Sequence, residues 1–315
     1  MSKNSSASLL NNNYEGLYMN KKNIFKRRNR VLTLWTIIPL GLYILFFIVP
    51  LIMGINFSLT DWNGLTQSFN YTGFENYITL FTDRRIMSSL SFTGLYTFLL
   101  VIIVMSIAMM LTLLVTYLVA KKLRTFFRST IFFPAVLSMV TVGLTWNQIM
   151  FRILPWMGQT LNIGWLSQNM LGHPDTAIWG ILIVHAWQGT AIPFVILLAG
   201  IQNVPADMYE AAKIDGAGPL QMFRKITVPF LIPAINVAFV MILRAGITVF
   251  DYIQTMTGGG PMRTTESAAV LMYQMSFQDG RAGLSSAYAV IILLIIAIVS
   301  LLQSKISSKI EVGQL

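Results

Sequence analysis

Val204-Pro-Ala-Asp-Met-Tyr-Glu-Ala-Ala-Lys-Ile-Asp-Gly-Ala-Gly-Pro-Leu-Gln-Met-Phe-Arg-Lys-Ile-Thr-Val-Pro229 is a polar interval between two long apolar runs. Local rules read it as a helix, a turn and a second short helix. Asp207 can N-cap the first helix, with Glu210 three residues on as the reciprocal capping partner. Ala211 and Ala212 propagate it. Gly216 suits the C′ position that ends it. Pro219 suits the first turn of the second helix, and Pro229 stands where the chain becomes apolar again. The product is a helix–turn–helix elbow. Local rules alone are met equally well by a well-capped connector.

The runs on either side of the elbow set the architecture. Residues 176–206 carry no Asp, Glu, Lys or Arg, and neither do 226–243. The same holds for 31–60, 86–120, 129–151 and 282–304. A membrane helix needs ~20 apolar residues to cross ~30 Å of hydrocarbon. The runs therefore predict an all-α, polytopic membrane protein. Its six transmembrane helices fall near 33–57, 90–120, 129–150, 177–200, 228–250 and 283–305. Lipid cannot satisfy a bare backbone, so helices are required; a β-barrel would show ~10-residue alternating segments.

Lys and Arg orient the spans. Lys3, Lys21, Lys22, Lys26, Arg27, Arg28 and Arg30 precede the first span. Lys121, Lys122, Arg124 and Arg128 follow the second, Lys213, Arg224 and Lys225 lie in the elbow, and Lys305 and Lys309 end the chain. The alternate loops hold Arg84, Arg85, Arg152, Arg263 and Arg281, so the split is 16 to 5. The positive-inside rule puts both termini and the elbow in the cytoplasm. Residues 1–30 read as a basic, disordered cytoplasmic tail, 31–306 as the transmembrane domain with the elbow at 203–229, and 307–315 as a cytoplasmic tail.

Composition supports this and excludes much else. Of 315 residues 55% are hydrophobic and 11% charged, against ~25% charged in a soluble domain. Zero cysteines remove disulfides, thiolate metal sites and a cysteine nucleophile, and His173 and His185 are the two histidines. The net charge of +10 reads as topology rather than nucleic-acid binding. No G-x-x-x-x-G-K-[ST], H-E-x-x-H or G-x-S-x-G motif is present.

Glu210-Ala211-Ala212, then Gly216, then nine residues to Ile226, then Val228-Pro229 resembles the EAA loop of ABC-importer permeases, E-A-A-x3-G-x9-I-x-L-P. The one departure is Val228 for Leu. The extended form to Asp215-Gly216-Ala-Gly218 looks like the carbohydrate branch, the maltose- and glycerol-phosphate-type permeases. Ser58-Leu-Thr-Asp-Trp62, Gly73-Phe-Glu-Asn-Tyr77 and Thr257-Gly-Gly-Gly-Pro261 with Thr265 are similar to that branch as well, and more to the first of its two permeases. The resemblance covers about residues 30 to 305.

The resemblance implies a type I ABC importer permease fold in the bacterial plasma membrane and no enzyme activity of the chain's own. It implies a second permease as heterodimer partner, an extracytoplasmic solute-binding protein, and a cytoplasmic ATPase dimer that carries ATP and Mg. No cofactor is expected in this chain. Glu210, Ala211, Ala212, Asp215, Gly216, Ile226 and Pro229 become the coupling residues to the ATPase. Substrate contact falls to the middle of helices 4 and 5, where His185, Trp187, Gln188, Gly189, Arg244, Gly246 and Asp251 stand. His185, Trp187 and Gln188 supply hydrogen-bonding groups and an aromatic face for a sugar; helix–helix packing with satisfied polar groups accounts for any one of them slightly better. Arg244 either snorkels outward or lines the path, with Asp251 two turns along the same face. Asn147 and Gln148 are weaker candidates. The cargo implied is a sugar, a di- or oligosaccharide. A polyol phosphate or uronide on the same architecture is the alternative. A six-helix channel or membrane enzyme fits the topology but leaves the EAA spacing unexplained.

Overall fold

The structure, a computed structural model, describes residues 35–312. The basic tail at 1–30 and its seven cationic residues lie outside them. The chain forms two units, one up to Asn56 and one from Phe57 onward. The first holds all but the last residue of α1 (Trp35–Phe57), which is apolar around its circumference, with mean hydropathy 2.5, and contains a π-helical turn at Ile44–Ile48.

The second unit is helical, with one isolated β-bridge between Thr60 and Tyr71 among the described residues. Its helices are α2 (Glu75–Thr82), α3 (Arg84–Leu118), α4 (Arg124–Phe132), α5 (Met139–Thr160), α6 (Pro174–Gly189) and α7 (Ala191–Gln202). They continue with α8 (Ala206–Ile214), α9 (Pro219–Ile247), α10 (Asp251–Met256), α11 (Ala268–Phe277) and α12 (Ala282–Val312). Four helices of the described residues are long and apolar enough to cross a membrane, or six spans if each bent pair counts as one.

Several expected boundaries move, each for a local reason. The second span starts at Arg84, not 90, because the Asp83 side chain caps it by accepting from the Arg85 N–H at 2.8 Å. The third, expected as one helix over 129–150, is broken: Arg124–Val136 and Met139–Thr160 meet at 92°. Pro134 starts a 3₁₀ turn there, and Leu137 and Ser138 are extended. The fourth bends by 43° beside Thr190. The fifth begins at Pro219, so the expected second short helix and the span are one 29-residue helix, joined through a π turn at Phe223–Thr227. It ends at Ile247, not 250. Asp251 consequently opens α10 instead of sitting two turns along from Arg244 on one face. The last helix continues to Val312, past the expected end near 305.

The core of this unit forms where α3 meets α6, α7 and α9. Tyr96, Leu100 and Val104 of α3 are buried against Ile181, Leu182 and Ile242. Tight van der Waals packing, rather than water exclusion, holds such a core together in lipid. The buried hydroxyls of α3 bond back along their own helix: Thr93 to the Ser89 carbonyl and Thr97 to the Thr93 carbonyl, both at 2.7 Å. Gly246 allows the closest approach of α9 to α3, since a β-carbon there would lie 2.8–2.9 Å from Thr97.

Candidate functional site

The elbow is α8, a turn, and the first turns of α9. Pro205, in extended conformation, is the N-cap and offers no side-chain cap, so α8 begins one residue before the position at which Asp207 could cap it. Asp207 instead lies in the first turn, where its carboxylate complements the helix dipole. The C-terminal end follows the expectation. Gly216 has φ +77°, the Ala217 N–H donates to the Ala212 carbonyl at 2.8 Å and the Gly216 N–H to the Lys213 carbonyl at 3.1 Å, a full Schellman motif.

The faces of α8 separate its residues. Tyr209 and Lys213 point to the chain's own body, lining a cavity of about 440 Å³ with Tyr117, Phe223 and Thr227. Tyr209 Oη and Thr227 Oγ1 are hydrogen-bonded at 2.8 Å. Burial raises the Tyr209 hydroxyl above the ordinary tyrosine range, so it stays a neutral tether. Ala212 is half-buried on this side, whereas Glu210, Ala211 and Asp215 are exposed. Ile214, 87% exposed, projects from the outer face, and Leu220 is 64% exposed just beyond the turn. Ile226 is buried and Pro229 half-buried where the elbow runs into α9.

A second constellation lies at the bend of α6 and α7. His185, Gln188 and Gly189 line a cavity of about 240 Å³ with Tyr252, Met241 and Ala245. Tyr252 stacks on His185 with centroids 4.3 Å apart, and Tyr96 Oη and His185 Nδ1 are hydrogen-bonded at 2.9 Å. The Tyr252 hydroxyl donates to Gln188 Oε1 at 2.8 Å. Gln188 Nε2 donates to the Leu137 carbonyl at 2.8 Å and the Pro134 carbonyl at 3.1 Å. Gln188 thus caps the break between α4 and α5, holding the Leu137 carbonyl and sharing the Pro134 carbonyl with the Leu137 N–H. The polar chain Tyr96–His185 and Tyr252–Gln188 is closed within the protein and fixes the ring edges that wall the small cavity.

The other predicted pathway residues are not brought together. Trp187, two residues from His185, faces the opposite side, packs edge-on against Trp146 at 6.0 Å, and lines a separate cavity of about 520 Å³. Gly246 packs on Thr97. Arg244 is exposed one turn before the end of α9, and Asp251 is half-buried at the start of α10. Among the described residues, no three His, Asp or Glu side chains converge as a metal site.

Sequence reasoning missed Tyr96, Tyr209 and Tyr252. The stripe Ser89, Thr93, Tyr96, Thr97 at helical spacing was the available signal for Tyr96. It also missed the pair at the end away from the elbow. There Arg85 donates bidentately to the buried Glu266 at 2.7 and 3.0 Å and also bonds Gln274.

The family described as "Binding-protein-dependent transport system inner membrane component" matches residues 121–312. The multiple sugar-binding transport system permease protein MsmF of Streptococcus mutans is 42% identical over 88% of this chain and 96% of its own. The probable starch degradation products transport system permease protein AmyD of Thermoanaerobacterium thermosulfurigenes is 33% identical over 85% and 91%. A solved bacterial ABC transporter involved in import of the acidic polysaccharide alginate has a chain of the same fold. Its TM-score is 0.76 at 19% identity, covering 90% of this chain and 96% of that one.

Proposed function

The chain belongs to the inner membrane components of binding-protein-dependent transport systems, and from that premise we propose that it forms, with a second permease, the path of a di- or oligosaccharide through the membrane. An extracytoplasmic binding protein delivers the sugar, and a separate ATPase dimer, with its own ATP and Mg, seats the elbow and supplies the energy. Both termini and the elbow then face the cytoplasm. The chain is a transporter component and not an enzyme.

One observation carries the coupling part of this reading: α9 runs unbroken from the elbow to the cavity. From Pro219 to Met241 is 22 residues, or ~33 Å of helix at 1.5 Å per residue. Motion imposed on Ile214, Ala211 and Glu210 passes through the Schellman turn into this lever, whose far end carries Met241 and Ala245 on the cavity wall. The cavity switches its open side by rigid-body rocking. The sugar class draws on the names of the relatives and on His185 and Tyr252 as ring-stacking and hydrogen-bonding groups.

The test pairs function with contact. The purified assembly, with its binding protein, is assayed for ATPase stimulation by candidate sugars. A single cysteine at Ile214 is crosslinked to single cysteines in the ATPase groove. Sugar-dependent stimulation with a nucleotide-dependent crosslink is the expected result. No crosslink in any nucleotide state, together with normal uptake by Glu210→Lys, would leave the elbow a mere connector.

A further inference from the structure

Beside the middle of α5 lies a second polar cavity of about 420 Å³, within the ~300–1,000 Å³ range of small-molecule sites. Asn147, Gln148, Phe151 and Arg152 form one wall and Asn169 another, and the Gly260–Pro261 turn closes it. The wall is shaped by the π turn at Ile149–Ile153, which widens α5 where Phe151 and Arg152 emerge. Asn147 Nδ2 donates to the Met256 carbonyl at 2.6 Å, which leaves Oδ1 to accept. Asn169 Oδ1 accepts from the Leu171 N–H at 3.0 Å, which leaves Nδ2 to donate. Phe151 is exposed and offers an aromatic face.

The two cavities share walls. On α10, Tyr252 lines the inner cavity and Met256 the outer one, four residues and ~6 Å apart. On α5, Met139 lines the inner and Asn147 the outer, eight residues and ~12 Å apart. The outer cavity is therefore one to two turns further along the same elements.

We propose that this outer cavity is a sugar-binding vestibule that holds one glycosyl unit of the cargo before it reaches the His185–Tyr252 cavity. The chemistry selects the class. A sugar hydroxyl donates and accepts at once, so it uses the free amide oxygen of Asn147 and the free amide hydrogens of Asn169 together. A bare anion has nothing to donate to Asn147 Oδ1. Phe151 covers the apolar face of a pyranose ring, and Arg152 donates to adjacent hydroxyls. The inference rests on the transport reading above and adds a second station to it.

The test uses the absence of cysteine from the chain. Single cysteines are placed at Gln148 and, separately, at Ala245, in the assembled transporter in membrane vesicles. Maleimide labelling is timed with maltotriose or raffinose as neutral probes and trigalacturonate as the anionic probe. A neutral sugar at about nine times its Kd slows labelling at position 148 roughly tenfold, and Arg152→Ala with Phe151→Ala removes that protection while protection at 245 remains. Protection at 245 alone overturns the vestibule and leaves the transport reading standing. Protection at 148 by trigalacturonate alone, or by no probe, also overturns it. Labelled-sugar uptake by vesicles carrying the unsubstituted chain measures the transport reading separately.

Discussion

Replacing Gly216 isolates the backbone of the elbow from its contacts, because a β-carbon there has no neighbour within 4 Å. The turn is closed by two hydrogen bonds, Ala217 to Ala212 and Gly216 to Lys213. At ~1 kcal/mol net each, they hold it by about 2 kcal/mol, a population of roughly 97%. A β-carbon in the left-handed region costs ~1–2 kcal/mol, and a β-branched residue lies at the upper end or beyond. Gly216→Ala then leaves the turn roughly 85% formed and Gly216→Val roughly half formed or less. Gly216→Asn stays near the parent, because Asn tolerates this region. Uptake in vesicles with matched membrane levels is expected in the order Gly, Asn, Ala, Val, with ATP hydrolysed per sugar imported rising in the same order. Equal damage by Asn and Val would refute the conformational argument, and full activity of Val would refute the elbow as a rigid transmitter.

Gly246→Val forces its side chain onto Thr97, including that residue's α-carbon. It is expected to cost ~1–3 kcal/mol by overpacking, read as a lower melting temperature in detergent, and Thr97→Ala restores only part of it. Arg85→Ala strands the buried Glu266 carboxylate and is expected to cost ~3–5 kcal/mol; Arg85→Met with Glu266→Gln recovers most of the loss in the same melting assay. Reporter fusions after Lys122 and Ala217 are expected to read cytoplasm, and fusions after Leu166 and Met262 the outside. An outside signal at Ala217 would overturn the orientation and the coupling assignment together.

Charge-free runs located the four long apolar helices and the two bent pairs of the described residues, because a membrane helix is specified by what it excludes. Their internal shape was less legible. The 92° break falls in a run, 129–151, with no charge to mark it. Pro134 was the signal there, since a proline inside a predicted helix removes a donor and crowds the preceding turn. The elbow's turn was readable from Gly216 alone, whereas its start was misplaced because Pro205 caps by backbone shape and not by a side chain. Of the predicted pathway residues, His185, Gln188 and Gly189 share one cavity but Trp187 does not. Hydropathy separates lipid from water; it does not say which side of a helix meets a neighbour. Tyr252 escaped because α9 was drawn too long, which hid the break that swings α10 across His185.

The π turn at Phe223–Thr227 has a consequence for the direction in which the elbow faces. A π turn holds one more residue than the α turn it replaces. Removing one residue there, Lys225 for example, would let α9 become a regular helix. The elbow would keep nearly the same azimuth, because the extra residue is absorbed within that one turn; deleting a residue from the α-helical part of α9 would instead swing it through ~100° and shift it by ~1.5 Å. After that second deletion Ile214 and Glu210 would keep their identities, yet they would address a different compass point. The heading of the elbow is thus stored as the residue count of the α-helical part of α9, a phase setting separate from the chemistry it aims.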